Sequence, residues 1–262
     1  MKPKEIVTRI LNFFGFGLVR MSSILDSNLY REDLENYIRK FETFSALQTE
    51  TKHAKVLVAC KKSKSQIGAD IFALNKLNFK NNGYFIECGA GDGVHLSNSL
   101  LLEEEFGWTG ILVEPNKHFH ENLARARKST LDKRLLSSKS GQFVEFTEFH
   151  IGELSGVTNV LDQSFERVRD KYLVESVSLQ DLLANQNAPR EIDYFSLDVE
   201  GYELEILKDF DFSTHIFRTL SIEHNFLETR EQIFDLLTAN DYYRVHEDIS
   251  GFDDFYVHRT IF

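Results

Sequence analysis

An apolar strand followed by a glycine-rich turn is the feature that most constrains this chain. Tyr84–Cys88 is apolar apart from Glu87, and the turn that follows consists of Gly89, Ala90, Gly91, Asp92 and Gly93. Glycines at alternate positions let the backbone turn tightly and approach a ligand closely. We expect a helix to begin directly after the turn, with its first amides facing the ligand. The pattern predicts a cradle for a nucleotide cofactor.

The same turn argues against a pyrophosphate-containing cofactor. A dinucleotide-binding fingerprint is G-x-G-x-x-G, whereas here the third glycine comes one position early. Two carboxylates, Glu87 and Asp92, also crowd the turn, and carboxylates repel phosphates. They suit a cofactor that has an amine and a ribose but no phosphate, such as S-adenosylmethionine. An NAD-dependent oxidoreductase is a weaker alternative.

Composition excludes several classes of protein. A chain of 262 residues fits one large domain with appendages. Its net charge of -11 argues against nucleic acid as a partner, because phosphate-binding proteins normally carry a basic face. Two cysteines, Cys60 and Cys88, are too few for a disulfide framework and indicate a reducing, cytoplasmic location. No apolar run reaches the roughly 20 residues of a membrane-spanning helix.

The N-terminal segment differs in charge from the rest. Residues 1–20 carry four basic residues and one acidic residue, which gives +3 and leaves -14 for the remainder. Apolar residues recur there with helical spacing, which predicts an amphipathic helix. It either packs on its own domain or lies on an anionic membrane surface as a peripheral contact. We divide the chain into a helical N-terminal preface, residues 1–60, and a main domain, residues 61–262.

From Gly83 onward, strands alternate with helices, as in a parallel sheet with crossover helices. We predict an α/β, Rossmann-like fold with a mostly parallel seven-stranded sheet and helices on both faces. Two strand-like runs near the end, Tyr242–Glu247 and Asp254–Arg259, predict an antiparallel hairpin at the sheet edge. An irregular segment through Gly152 and Gly156 is a candidate lid or substrate loop. The predicted parallel strands are Tyr84–Cys88, Gly110–Val113, Gln142–Phe149, Tyr194–Leu197 and Thr219–Ile222.

Four of the predicted strands end in an acid: Glu87, Glu114, Asp198 and Glu223. In an open parallel sheet, ligands bind outside the carboxyl ends of the strands, so these side chains should border a ligand site. Glu114 lies 27 residues after Glu87, near the position where an acid accepts hydrogen bonds from a ribose diol. The alternative is that Glu114 is a surface acid before the turn proline Pro115.

Six motifs follow one another along the chain: Phe85–Gly93, Leu96-Ser97-Asn98-Ser99, Gly107-Trp108-Thr109-Gly110, Val113-Glu114-Pro115-Asn116, Leu154-Ser155-Gly156 and Ser196–Glu203. Together they resemble FkbM-type methyltransferases, most of all the branch that contains the eukaryotic Star-type proteins, and the resemblance runs from about residue 65 to 259. It implies a class I S-adenosylmethionine-dependent fold and methyl transfer to an oxygen of a sugar or natural product.

The resemblance also implies roles for particular residues. Glu114 is expected to bind the ribose, and Asp198 to face the methyl group. The sequence departs from the family pattern at Lys117 and at Lys133-Arg134, so the adenine contacts stay unassigned. The residues expected to wrap the methionine part of the cofactor are Glu87, Gly89, Ala90, Gly91, Asp92 and Gly93.

Methyl transfer to a hydroxyl needs alignment of the oxygen and a base that removes its proton. The candidates for that base are Asp198, Glu200, Glu223 and His224. His224 titrates closest to neutral pH, although a strand-end histidine can equally be a structural hydrogen-bonding residue. In an alternative mechanism, Asp198, Glu223 and Asn225 bind Mg²⁺, which lowers the pKa of the substrate hydroxyl.

Two functional hypotheses therefore stand beside each other. The first is an O-methyltransferase acting on a saccharide or another small hydroxylated metabolite. The second is a non-catalytic, Star-type binding or trafficking module that retains the fold, motivated by the basic amphipathic segment of residues 1–20.

Overall fold

The structure, a computed structural model, describes residues 53–162, 164 and 166–262. The α-helices of this part are α1 (His53–Lys62), α2 (Ala69–Lys76), α3 (Leu100–Phe106), α4 (His120–Ala126), α5 (Leu179–Asn185), α6 (Glu203–Leu207) and α7 (Thr229–Thr238). The strands are β1 (Tyr84–Cys88), β2 (Thr109–Val113), β3 (Thr130–Asp132), β4 (Leu135–Ser137), β5 (Phe143–Phe149), β6 (Gly156–Val157), β7 (Val168–Ser178), β8 (Glu191–Leu197), β9 (Ile216–Glu223), β10 (Tyr242–Val245) and β11 (Asp253–His258).

A seven-stranded sheet with the order β10-β11-β9-β8-β1-β2-β3 organises the molecule. Five adjacent strands of this sheet, β3, β2, β1, β8 and β9, are parallel to one another, so their carboxyl ends meet at one edge. β11 runs antiparallel to both β9 and β10. The sheet is therefore mixed, which corrects the prediction of a mostly parallel sheet: the C-terminal hairpin forms, but its second strand lies between β9 and the first.

The third strand of the main sheet was predicted wrongly. The predicted strand Gln142–Phe149 corresponds to β5, which belongs to a separate four-stranded sheet with the order β4-β7-β5-β6. Its neighbours β6 and β7 are both antiparallel to it. The third parallel strand is instead β3, which has only three residues and is too short for a periodic pattern to reveal.

Two apolar clusters cover the two faces of the main sheet. Successive side chains of a strand point to opposite faces, and in β1 Phe85 belongs to one cluster and Ile86 to the other. On the first face, Phe72 of α2 stacks on Phe255 of β11 with ring centroids 4.5 Å apart. The second face is covered by α5, α6 and α7. Helices thus lie on both faces, as predicted, and they fix the strand ends that border the candidate site.

In the described part of the chain, no helix has both the length and the apolar character needed to cross a bilayer. The predicted amphipathic helix, the membrane contact through residues 1–20 and most of the N-terminal preface fall outside the described residues. The last part of that preface is α1, whose buried Val56, Ala59 and Cys60 pack in the same cluster as Phe72.

Candidate active site

The glycine turn joins the ends of three neighbouring strands. The amide of Gly89 donates to the carbonyl of Val113 at the end of β2 (3.0 Å), and the amide of Asp198 donates to the carbonyl of Cys88 (3.2 Å). Gly89 has a φ of +79°, and a Cβ there would lie 1.9 Å from the carbonyl oxygen of Asp198. Only glycine therefore allows the exits of β1 and β8 to approach this closely.

The rest of the turn is held by its own contacts rather than by a helix. The Asp92 carboxylate accepts hydrogen bonds from the amides of Val94 and His95, both at 2.8 Å. Gly93 has a φ of +82° and leaves room for Leu123, whose side chain a Cβ would approach to 2.5 Å. The next helix, α3, begins only at Leu100. The expectation of a helix N-terminus directly behind the turn was therefore wrong, because the intervening residues form an irregular segment.

Glu87 stabilises this irregular segment. Its carboxylate is buried and accepts hydrogen bonds from the hydroxyls of Ser97 and Ser99 and from the amide of Asn98. The guanidinium of Arg127, whose side chain is fully buried, lies 3.5 Å away. Glu87 therefore acts on the cleft through residues 97–99. The sequence predicted that Glu87 contacts the cofactor, but the structure does not bring it to the cleft surface.

Glu114 lies beside the glycine turn, as predicted. One carboxylate oxygen accepts from the amide of Gly91 and the other from the amide of Asn116, each at 2.7 Å. A carboxylate has about four lone-pair sites, so each oxygen retains one for a further donor. Burial is the main reason that the pKa of Glu114 is raised to about 8, and the charges of Asp198 and Glu153 add to it.

The exits of β8 and β9 bring three more acids together. Carboxylate oxygens of Asp198, Glu200 and Glu223 lie within 4.8 Å of one another. Glu200 reaches this position with a φ of 58°, in the left-handed region that non-glycine residues rarely adopt. Burial raises the pKa values of these groups to about 6 for Asp198, about 8 for Glu200 and about 12 for Glu223, and the charge of Asp198 adds to the increase at Glu200 and Glu223.

A fourth acid, Glu203, holds the backbone on both sides of Glu200. Its carboxylate accepts from the amides of Val199 (3.0 Å) and Gly201 (3.1 Å), and the residue is only 1% exposed. Sequence analysis included Glu203 only as the end of the motif Ser196–Glu203 and did not identify this role. The informative signal is an acid two residues after a glycine at the start of a helix, where it can accept from amides of the preceding turn.

These groups border one cavity of about 430 Å³. This volume lies within the range of small-molecule sites. The sequence-predicted residues that line it are Gly89, Gly91, Glu114, Asp198 and Glu223, together with Glu200 and Asn225. The predicted residues that are not part of its described lining are Glu87, Ala90, Asp92, Gly93 and His224. Apolar side chains form another part of the wall: Val113, Phe119, Leu135, Leu136 and Phe146.

His224 is directed away from this cavity. Its Nδ1 accepts from the amide of Phe226 (3.0 Å), and its Nε2 lies 3.8 Å from an oxygen of Asp254. Burial holds the pKa of His224 below its usual value. Asp254 in turn binds Arg230 through two hydrogen bonds of 2.9 and 2.7 Å. The structure thus places the predicted base in a buried polar network outside the cleft.

The predicted lid segment forms one wall of the cavity and is tied to the strand ends. The amide nitrogen of the Asn116 side chain lies 3.3 Å from both the carbonyl of Gly152 and the hydroxyl of Ser155. Gly152 lies under the ring of Phe119, which a Cβ would approach to 2.6 Å. Next to the glycine turn, the Nδ1 of His95 lies 3.5 Å from a carboxylate oxygen of Glu153 in this segment. Asn116 thus couples the Glu114 exit to the lid, a contact that local sequence patterns do not reveal.

The fold and the site define an α/β protein with an acidic, ligand-sized cavity at the carboxyl ends of its parallel strands. The methyltransferase FkbM domain matches residues 87–255, and the chain belongs to this methyltransferase family. Among curated proteins, no sequence matches this chain. Among solved structures, precorrin-6y C5,15-methyltransferase from Geobacter metallireducens GS-15 is similar over 67% of this chain and 71% of that one, with 14% identity and a TM-score of 0.39.

Proposed function

We propose that this protein is an S-adenosylmethionine-dependent O-methyltransferase that acts on a hydroxyl of a saccharide or another small, uncharged metabolite. One observation carries the proposal: a single cavity joins the Glu114–Gly91 pair to the carboxylates at the exits of β8 and β9. Family membership supports methyl transfer in general, and this arrangement supports the particular cofactor and acceptor.

The cavity offers a place for each part of the cofactor. The free lone pairs of Glu114 would accept the two ribose hydroxyls, and the open backbone at Gly89 and Gly91 would border the methionine part. Among the described residues other than its chain neighbours, none has an atom within 4 Å of a Cβ built on Gly91, so there is room for a ligand. The apolar wall of Val113, Phe119, Leu135, Leu136 and Phe146 would receive the adenine.

The charge of the cavity fits a cationic cofactor and an uncharged acceptor. When bound, S-adenosylmethionine supplies an electrophilic methyl group on a positively charged sulfonium. Carboxylates at Asp198 and Glu200 attract that positive charge. Among the described residues that line the cavity, none is a lysine or an arginine, so no such side chain is present there to bind a phosphate or carboxylate on the acceptor.

The carboxylates of the cluster are better placed than His224 to receive the acceptor's proton. Asp198 lines the cavity, and its pKa of about 6 lies close to physiological pH. Glu223 lies beside Asp198, and its raised pKa of about 12 would let it donate a hydrogen bond to that carboxylate. We propose that Asp198 orients the acceptor hydroxyl and accepts its proton, with Glu223 holding Asp198 in position.

Calorimetry with S-adenosylmethionine tests the cofactor assignment directly. We expect binding by the wild type and at least a tenfold loss of affinity in Glu114→Ala, because two ribose hydrogen bonds disappear. The control is Glu104→Ala, which removes an exposed carboxylate from α3 outside the cavity. Absence of binding by the wild type, or equal affinity in Glu114→Ala, would refute the assignment.

Turnover separates the enzyme from a binding module. A panel of glycans and hydroxylated metabolites, assayed for S-adenosylhomocysteine, should give a product whose formation is lost in Asp198→Asn. Cofactor binding without transfer to any acceptor would instead support the alternative, a Star-type module that retains the pocket. That alternative rests on residues 1–20, which lie outside the described residues, and it remains a prediction, as do the membrane contact and the cytoplasmic location.

A further inference from the structure

The acid cluster has no positively charged partner in the described part of the chain. Asp198, Glu200 and Glu223 each offer a carboxylate oxygen, and these atoms lie within 4.8 Å of one another. All three residues line the cavity, and none of them forms an ion pair with a described lysine or arginine. Three carboxyl groups therefore converge on one small volume without a described lysine or arginine beside them.

An unpaired oxygen on Glu223 gives a second indication of a ligand. Glu223 is only 6% exposed, and its Oε2 has no hydrogen-bond partner among the described residues. Buried polar atoms in folded proteins are nearly always paired, and burying a carboxylate oxygen without a donor is costly. Because Glu223 lines the cavity, a ligand bound there can satisfy this oxygen.

We propose that Asp198, Glu200 and Glu223 bind a divalent cation of the hard class, such as Mg²⁺, Mn²⁺ or Ca²⁺. The donor set consists only of carboxylate oxygens, which these ions prefer over thiolate or imidazole ligands. Oxygens on opposite sides of Ca²⁺ are about 4.6–5.2 Å apart and those around Mg²⁺ about 4.0–4.2 Å. The oxygens of the cluster, all within 4.8 Å of one another, are close enough to share one ion of this class.

The structure changes the ligand set that the sequence indicated. Sequence reasoning paired Asp198 and Glu223 with Asn225, whereas the third carboxylate of the cluster comes from Glu200. Glu200 lies two residues beyond Asp198, and its left-handed φ of 58° accompanies its position beside the other two acids. A cation here would neutralise the cluster and, if the proposed methyl transfer holds, would bind the acceptor hydroxyl and favour its deprotonation.

Metal binding is measured on the full chain, freed of metal with a chelator, by the loss of the free Mn²⁺ signal in electron paramagnetic resonance. We expect one Mn²⁺ per chain, displaced by Mg²⁺ or Ca²⁺, and at least a tenfold weaker affinity in Glu200→Gln. Asp198→Asn should show the same loss and provides a second variant. Glu104→Gln, which removes one exposed carboxylate on α3, should bind Mn²⁺ within twofold of the wild type.

The outcome does not depend on catalysis. The titration is run with and without S-adenosylhomocysteine, and circular dichroism verifies that each variant is folded. No bound Mn²⁺ at 1 mM in either condition, or an unchanged affinity in Glu200→Gln and Asp198→Asn, would overturn the cation site. Mn²⁺ binding by a chain that fails to bind S-adenosylmethionine would leave the cation site standing while removing the proposed methyl transfer.

Discussion

Replacing Gly89 by alanine should separate the exits of β1 and β8 and destabilise the whole sheet edge. The new Cβ would lie 1.9 Å from the carbonyl oxygen of Asp198, a backbone atom that cannot rotate away. Real Cβ contacts are essentially never below 3.0 Å, so the two strand ends must part by more than 1 Å. That movement breaks either the 3.2 Å hydrogen bond from Asp198 to Cys88 or the 3.0 Å bond from Gly89 to Val113.

The chain provides a matched control at Gly141. Its φ of +73° is close to the +79° of Gly89, but no atom lies within 4 Å of a Cβ built there. Gly141→Ala therefore carries the cost of a left-handed alanine, about 1–2 kcal/mol, offset by about 0.4–1 kcal/mol from the less flexible unfolded chain. Gly89→Ala carries the same terms and the steric displacement in addition.

The additional cost can be worked out from the contacts that must change. One buried hydrogen bond left unmade costs about 1–3 kcal/mol, and forced overpacking costs about another 1–3 kcal/mol. We therefore expect Gly89→Ala to be about 4 kcal/mol less stable than Gly141→Ala. In a domain of this size, that difference corresponds to a Tm lower by about 8–16 °C.

Thermal and urea unfolding of the two variants, followed by circular dichroism, measure this difference. Both variants are expressed and purified in parallel, so that a loss of soluble protein confined to Gly89→Ala also counts as destabilisation. Because Asp198 moves with the strand end, Gly89→Ala should also lose cofactor binding. Equal Tm values for Gly89→Ala and Gly141→Ala would refute the argument that the Asp198 carbonyl makes glycine necessary at this position.

Three further predictions concern the cavity and its surroundings. Gly91 has a φ of +54° and open space around an added Cβ, so the Tm of Gly91→Ala should match that of Gly141→Ala. Calorimetry should nevertheless show at least tenfold weaker S-adenosylmethionine binding by Gly91→Ala. Unchanged affinity would contradict the placement of the cofactor beside Gly91. The folded-state pKa of Glu114 is about 8, above the ordinary value of 4.5. The contribution of the protonated Glu114 to stability is therefore complete below pH 4.5 and is lost as the pH rises through 8. We expect the Tm to fall between pH 4.5 and pH 8. Since ribose donors favour the ionised carboxylate, cofactor binding at pH 7.5 should release about 0.5–0.8 proton, measured by calorimetry in two buffers, and no release in the wild type would contradict this. His224→Ala should lower stability by about 1–3 kcal/mol, because the Phe226 amide loses its acceptor, with unchanged cofactor affinity; a tenfold loss of affinity would place His224 in the cleft.

The fold was predictable where a strand is long, apolar and followed by a distinctive turn. β1 has the predicted bounds, and β2, β8 and β9 contain the predicted segments, because each is rich in apolar residues and has an acid at or next to its carboxyl end. β3 was not predicted because three residues are too few to show a periodic pattern of apolar and polar side chains. β7 escaped because its exposed first half, from Val168 on, has the composition of a surface loop and becomes a strand by pairing with β5.

The site was predictable as a set of positions but not as a set of roles. The rule that ligands bind at the carboxyl ends of parallel strands correctly located Glu114, Asp198 and Glu223 at the cavity. It gave no information on the direction of the side chain that follows, and His224 turns to the other side. Glu200 was proposed only as one of several bases, because its approach to Asp198 depends on an uncommon backbone conformation.

What separates the strand-end acids from one another is the number of donors that face each of them. Glu87 faces two hydroxyls, an amide and a guanidinium, so its acceptor capacity is used and its role is structural. Glu114 faces two amides and keeps two lone pairs for a ligand. Glu223 has an oxygen that no donor reaches. Most of these donors lie ten or more residues away along the chain, so neighbouring sequence cannot show them, and the three acids look alike until the fold brings their partners together.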